Sequence, residues 1–362
     1  MQPQNLIDAE NLARERLPRV IYDYYRSGAW DEQSLRRNRE AYSEIDLLPR
    51  VLVDVSSRDA STTLLGTRIT LPVLAAPTAF HRLAHPDGEV ATARALASVG
   101  SIMVLSSLST MTVEEVTATG AAVWFQLYVN KDPGRTKALV DRVVAAGCRA
   151  IVVTADTPVW GVRERDVRNG FHLPPGFGAV NLAPLDPDGE KRSRQGAGMG
   201  QAFDWMLHPA LSWAELERLC AASPVPVLLK GLARGDDAER AIAAGCAGVV
   251  VSNHGGRQLD GVPATIDALP AVVQAVAGRG LVLVDGGIRR GTDVLKAIAS
   301  GADAVQIGRP SLWGLACGGE AGVRHVFESL RKELDVAMAL AGCPNLAAIT
   351  PDLLRRRGRS PG

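Results

Sequence analysis

Eight short apolar runs punctuate this chain, with helix-like stretches between them. The runs are LPVLAAP (71–77), SIMVLSS (101–107), VWFQLY (123–128), AIVVTAD (150–156), PVLLKG (226–231), AGVVVSN (247–253), LVLVDGG (281–287) and AVQIGRP (304–310). None alternates cleanly between apolar and polar, which is the pattern of a strand covered on both faces. Between them, residues 86–99, 132–146, 213–222, 236–244, 266–276 and 291–300 carry apolar residues at helical spacing. Gly100, Gly147, Gly245 and Gly301 stand just past four of these segments, where a left-handed cap is least costly. Strand alternating with helix, eight times, predicts an α/β fold: a closed TIM (β/α)8 barrel of parallel strands.

Successive runs are about 20 to 35 residues apart, with one exception. About 70 residues, rich in Gly, Pro and Arg, separate Asp156 from Pro226. A loop of that length over a barrel mouth predicts a lid after strand 4, an insertion over 157–211. Residues 1–70 precede the first strand and are expected to form an N-terminal helical extension, with the Tyr-rich segment 21–26 packed over the barrel. No linker composition divides the chain, so 1–362 is expected to be a single domain.

With 40 Lys+Arg against 39 Asp+Glu, the formal net charge is +1. That balance argues against an extended nucleic-acid footprint or a global pull toward an anionic membrane. It leaves room for a small anion, which needs only a few local cations. No apolar run approaches the roughly 20 residues of a membrane span. The N-terminus lacks the apolar stretch of a secretory signal, and the C-terminus lacks address or lipidation signals. Five cysteines, without a C-x-x-C pair, read as reduced thiols rather than a structural metal site. A cytoplasmic protein with no membrane, nucleic-acid or metal partner is expected. The basic stretch at 355–359 reads as a solvated tail.

The residues at the end of each run carry the chemistry. In order come Pro77 and Thr78; Ser106; Gln126 and Tyr128; Thr154 and Asp156; Lys230; Ser252, His254 and Arg257; Asp285 and Arg289; and Gly308 with Arg309. In a (β/α)8 barrel these C-terminal strand ends converge on one mouth. One polar strand end is ordinary, but eight together point to a site. Gly286, Gly287 and Gly308 expose backbone N–H groups, and Arg289 and Arg309 can clamp an anion, so the last two strand ends predict a phosphate site. Ala76–Thr78, Ser106, Gln126 and Thr154 supply donors and acceptors for a flat heterocycle. Lys230 requires an anionic partner if buried. The reduced pyrimidine edge of a flavin would serve, and a Schiff-base lysine is the competing reading.

The segment SNHGGRQLD (252–260) is the sharpest signal. His254, flanked by glycines at a strand end, can open one face to substrate and tie its other nitrogen to a carboxylate, for which Asp156 is the candidate. Arg257 lies three residues on. The other histidines, His81, His85, His172, His208 and His325, read as structural.

FQLYV (125–129), TADTP (154–158), SNHGGRQLD, DGGIRRGTDVLKA (285–297) and IGRP (307–310) closely resemble the FMN-dependent L-2-hydroxy acid oxidases and dehydrogenases. APTAFHRLAHPDGE (76–89) and Tyr24 fit as well. The resemblance implies that Ala76, Pro77, Thr78, Ser106, Gln126, Thr154 and Lys230 surround the flavin ring, and Ser252 is expected among the cofactor-binding residues. It implies that Asp285, Gly286, Gly287, Arg289, Gly308 and Arg309 hold phosphate and ribityl. Arg163 and Arg257 would grip the substrate carboxylate, Tyr24 and Tyr128 would contact the substrate, and His254 with Asp156 would be base and partner.

A 2-hydroxy acid fixed by two arginines would present its Cα–H to the flavin and leave as a 2-oxo acid. Removal of either the α-proton or the hydroxyl proton by His254 suits the sequence. The acceptor is expected to be O2, giving hydrogen peroxide, with a quinone or other carrier as the alternative. Leu108 stands where short-chain oxidases of the family often have tryptophan, which predicts room for an aryl or longer alkyl group. The resemblance further implies a homotetramer. Two rivals are a flavin-dependent isopentenyl-diphosphate isomerase, which would want a metal and a more basic mouth, and a flavin-binding scaffold without turnover.

Overall fold

Each apolar run supplies one barrel strand, and six of the eight strands are shorter than their run. The computed structural model describes residues 3–185 and 203–357. The barrel strands are β1 (Val73–Ala75), β2 (Ile102–Ser106), β3 (Ala122–Leu127), β4 (Ile151–Thr154), β5 (Val227–Leu232), β6 (Gly248–Val251), β7 (Leu281–Asp285) and β8 (Ala304–Ile307). They pair in parallel in chain order, and β8 closes on β1. The (β/α)8 barrel read from the sequence is therefore the observed fold.

Three helices precede the barrel: α1 (Leu6–Arg16), α2 (Arg19–Arg26) and α3 (Gln33–Ser43). Asn5 caps α1 by accepting from the backbone N–H groups of Ile7 and Asp8. Outside the strands lie α4 (Gly88–Ser98), α5 (Val113–Thr117), α6 (Pro133–Ala145), α7 (Glu164–Arg168), α8 (Trp213–Ala222), α9 (Gly235–Ala243), α10 (Thr265–Val276), α11 (Gly291–Ala299) and α12 (Arg309–Ala341). The four glycines after the helices all have positive φ, between 64° and 100°. Of the stretch 157–211, residues 186–202 lie outside the described residues. The rest carries α7, which packs on α2. No helix among the described residues is long and apolar enough to cross a membrane.

Period-2 geometry makes the barrel interior legible. Leu74, Val104, Trp124, Val152, Leu228, Val250, Leu283 and Ala304, one from each strand, are buried together in one cluster. A hairpin of Thr62–Leu64 and Thr67–Ile69 adds Leu64 and Ile69 to the same cluster. Two residues further along each strand comes a second inward position: Ala76, Ser106, Gln126, Thr154, Lys230, Ser252, Asp285 and Gln306. The first layer is apolar, and the second is almost wholly polar. That step forms the floor of the site.

The C-terminal reading needs correction. Leu354–Arg356 is a strand paired antiparallel with Ile45–Leu47. Arg355 and Arg357 both pair with Asp46, and Arg356 pairs with Asp267. Acidic partners from distant positions turn a basic run into the edge of a small sheet, which composition alone could not reveal. Gly358 and Arg359 lie outside the described residues.

Candidate active site

A cavity of about 690 Å³ opens at the C-terminal ends of the strands, within the size range of cofactor and small-molecule sites. Two hydrogen-bonded arcs form its floor. In the first, Ser106 Oγ donates to Gln126 Oε1 at 3.2 Å, and Gln126 Nε2 donates to Thr154 Oγ1 at 3.0 Å. In the second, Lys230 Nζ donates to Ser252 Oγ at 2.8 Å, and Ser252 Oγ donates to Asp285 Oδ2 at 2.9 Å. Lys230 Nζ also lies 3.2 Å from Asp285 Oδ2, which supplies the anion that a buried ammonium requires. Ser252 joins Lys230 and Asp285 in this internal arc and does not itself line the cavity.

His254 stands over the floor. It is held at φ 57°, followed by Gly255 at 64° and Gly256 at 73°. Three consecutive left-handed residues make a tight turn, and a non-glycine residue there is strained. Ser252 Oγ accepts from the His254 backbone N–H at 3.1 Å. Asn253 and Asn38 of α3 exchange amide hydrogen bonds at 2.8 and 2.9 Å, which pins the turn to the extension.

His254 Nδ1 lies 2.9 Å from Asp156 Oδ1. Burial pushes the imidazole pKa below its ordinary value, against the pull of Asp156, while Lys230 and Arg163 push it the same way as burial. Burial also opposes ionisation of Asp156, but His254 and Lys230 outweigh it and hold that carboxyl below its usual range. The pair thus rests as carboxylate and neutral imidazole, with Nδ1–H donating and Nε2 free to take a proton.

Gly231, just past Lys230, makes this pairing possible. It has φ 103°, and a Cβ there would sit 2.5 Å from Asp156 Cγ. Any side chain would drive the carboxylate away.

Arg163 is 8% exposed, its side chain makes no hydrogen bond or ion pair among the described residues, and its Nε is buried without a partner. Burial and the neighbouring Arg257 lower its pKa to about 10, so it stays a cation at neutral pH. The charge of Asp166 favours the cation, yet no carboxylate lies within ion-pair distance of it among the described residues, and a buried guanidinium so placed is the signature of a site that takes an anion. Arg257 Nη1 donates to the carbonyls of Tyr24 and Ser27 at 2.8 and 2.9 Å, and its guanidinium lies 5.3 Å from the Tyr24 ring. Tyr24 stacks on Phe171 at 4.2 Å, and Tyr128 meets Trp160 edge-on at 5.9 Å. Leu108 lines the same wall.

After β7, Arg289 Nη1 donates to the Ile288 carbonyl at 2.8 Å, and its Nε is buried without a partner. Burial lowers its pKa to about 10. Arg309 donates to the carbonyls of Tyr25 and Ser27, both at 2.9 Å. Neither guanidinium has a carboxylate partner among the described residues, while Gly286, Gly287 and Gly308 line the cavity beside them.

The FMN-dependent dehydrogenase family matches residues 13–356. This chain belongs to that family. An L-lactate oxidase from Nostoc sp. is 53% identical over 357 residues, covering 97% of this chain and 98% of its own. Glycolate oxidase 3 of Arabidopsis thaliana is 48% identical, covering 97% and 95%. A mandelate oxidase crystallised with (S)-4-hydroxymandelic acid superposes with a TM-score of 0.91 at 43% identity, covering 97% and 98%.

The chain is thus an FMN-dependent enzyme, and its cavity suits the cofactor. Two unpaired guanidiniums at one end match a phosphate, and an amide–hydroxyl arc at the other matches a heterocycle edge. Of the residues singled out from sequence, all but Ser252 and Asp156 line the cavity, and Asp156 reaches it through His254. Trp160, Asp166, Phe171, Gly231 and Gln306 were not singled out. The first three are contributed by the stretch 157–211, where no periodicity marks which side chains turn inward. Gln306 follows Ala304 at period two, a signal available in AVQIGRP.

The remaining histidines have structural partners. His81 bridges Thr78 and Thr92 at 2.6 and 3.0 Å, His208 pairs with Glu215 at 3.0 Å, and His325 meets the Pro3 carbonyl at 2.7 Å.

Proposed function

We propose that this enzyme oxidises small L-2-hydroxy acids to 2-oxo acids, with O2 as the acceptor and hydrogen peroxide as the second product. One observation carries the reading: a neutral, carboxylate-held imidazole beside a buried Arg163 with no ion pair among the described residues and the guanidinium of Arg257. Two cations fix a carboxylate at a distance from a base, which is the demand of a 2-hydroxy acid and not of a neutral alcohol. Names of the relatives, which are lactate, glycolate and mandelate oxidases, support the same substrate class.

Arg163 and Arg257 hold the substrate carboxylate, while Tyr24 and Tyr128 contact the substrate beside them. His254 Nε2 takes a proton from the substrate, and Asp156 stabilises the imidazolium that results. Bound FMN supplies the two-electron acceptor that O2 reoxidises. Ala76, Pro77, Thr78, Ser106, Gln126, Thr154 and Lys230 surround its ring, and Asp285, Gly286, Gly287, Arg289, Gly308 and Arg309 hold its phosphate and ribityl. Lys230, which lines the cavity, would hold its positive charge beside the bound ring.

Leu108 lines the cavity where short-chain oxidases of the family often have tryptophan, and the smaller side chain favours an aryl or longer alkyl substituent. Family resemblance supports a homotetramer, and the unpaired cysteines support a reducing cytoplasm. The residues at 157–211 act as the lid of one continuous domain.

A panel of 2-hydroxy acids, with peroxide measured, tests the reading. The yellow protein should bleach anaerobically with its substrate and regain colour in air, releasing one peroxide per turnover. Failure of every 2-hydroxy acid to bleach it overturns the activity. A clear preference for glycolate over mandelate removes the role given to Leu108.

A further inference from the structure

The ring of inward-facing residues at the mouth has eight places, and the two hydrogen-bonded arcs account for six of them. Ala76 has no side-chain polar atom. The eighth place is Gln306, which is 0% exposed and lines the cavity. Its Nε2 and Oε1 both lack a hydrogen-bond partner among the described residues. A buried amide with neither end satisfied is rare in folded proteins and calls for a partner that binds there. Leu or Val would fill the same inward place without that cost.

The neighbourhood defines the partner. Gln306 stands opposite Asp285 of β7 and Leu74 of β1 in the strand register. Asp285 Oδ2 is occupied by Ser252 and Lys230, whereas Asp285 Oδ1 is buried and unpartnered. A carboxylate oxygen can only accept, and an amide nitrogen can only donate. The group that satisfies both at once is a hydroxyl, donating to Asp285 Oδ1 and accepting from Gln306 Nε2. This pair lies on the two strands that lead into Arg289 and Arg309, and it lines one cavity with them and with the arc of Ser106, Gln126 and Thr154. A ligand reaching from phosphate to heterocycle passes over it with its hydroxylated linker.

We propose that Gln306 is a further FMN-binding residue, which together with Asp285 holds a ribityl hydroxyl. The proposal rests on the FMN dependence of the family and adds a contact that this chain's own residues specify. Ser252 donates to Asp285 Oδ2 and Lys230 lies 3.2 Å from it, which fixes the carboxyl group in place, so the hydroxyl meets a preformed acceptor.

Flavin release from the holoenzyme tests it without reference to turnover. The holoenzyme is diluted and the recovery of free-flavin fluorescence gives the Kd. Gln306→Leu should raise the Kd for FMN about five- to tenfold, the loss of one hydrogen bond. Holoenzyme exchanged with FMN analogues lacking one ribityl hydroxyl supplies the decisive comparison. For one such analogue, wild type and variant should release flavin equally. If Gln306→Leu does not fold, Gln306→Met, which keeps length and volume, takes its place. An unchanged Kd for FMN overturns the proposal. So does an equal loss with FMN and with every deoxyribityl analogue, since Gln306 would then act through the fold. Wild type that holds no FMN at all would instead strike the cofactor reading itself.

Discussion

His254 occupies a backbone conformation that side chains avoid, and it does so between two elements that hold it from opposite sides. Below it, Ser252 receives its N–H; beside it, Asp156 receives its Nδ1–H. His254→Ala should retain flavin and slow its anaerobic reduction by about 10²- to 10⁴-fold, the usual worth of a general base. Stopped-flow absorbance would read this, and normal reduction by the variant would remove His254 from its role. The pH dependence has a definite sign. Burial lowers the imidazole pKa, so the neutral base persists below pH 6.5, and the acidic limb of kcat/KM should lie below that value. Asp156 opposes that shift, so Asp156→Asn should move the limb lower still while reducing the rate. Gly231→Ala tests the same pair from its other side. By displacing the Asp156 carboxylate it should cut kcat and shift the limb as Asp156→Asn does, with FMN content unchanged.

Helix α2 connects the two arginine sites. Its last turn offers the carbonyls of Tyr24 and Tyr25, with that of Ser27 just beyond, and the helix dipole favours cations there. Arg257 and Arg309 both donate to the Ser27 carbonyl, so the guanidinium proposed for the substrate carboxylate and the one proposed for the phosphate share an acceptor. The extension is therefore part of the site wall. Lysine at 257 would keep the charge but lose the fork that reaches substrate and carbonyls together. Arg257→Lys should raise KM for a 2-hydroxy acid by about tenfold or more, and it should loosen α2, read as faster amide exchange over residues 24–28. Unchanged KM would show that the fork is not used for substrate.

At the scale of the whole molecule, an apolar barrel interior supports a polar floor, and buried cations stand over it. Arg163, Arg289 and Arg309 are desolvated in the folded protein, and burial depresses the pKa of each. Binding an anion offsets that strain. Added FMN should stabilise the fold by about 2.7 kcal/mol at a hundredfold excess over Kd, so stripping the flavin should lower Tm by several degrees. A Tm indifferent to FMN would argue that the cations are balanced in some other way.

The barrel, its eight strands and most of the mouth could be read from the chain, because strand burial and period-two geometry are local rules and strand ends must converge once the barrel closes. Hence Gln126, Thr154, Lys230 and Asp285 were legible as a group before any coordinate was known. Partnership was not legible. Whether Ser252 faces the cavity or serves Lys230, whether the arginines at 355–357 are free or paired with Asp46 and Asp267, and which side chains of the stretch 157–211 turn inward all depend on groups far apart in the chain. A residue type states what it can donate or accept, while the three-dimensional packing settles which of those capacities is already spent. Gln306 shows the difference: its identity was plain in AVQIGRP, but its unspent amide emerged only when its neighbours were in place.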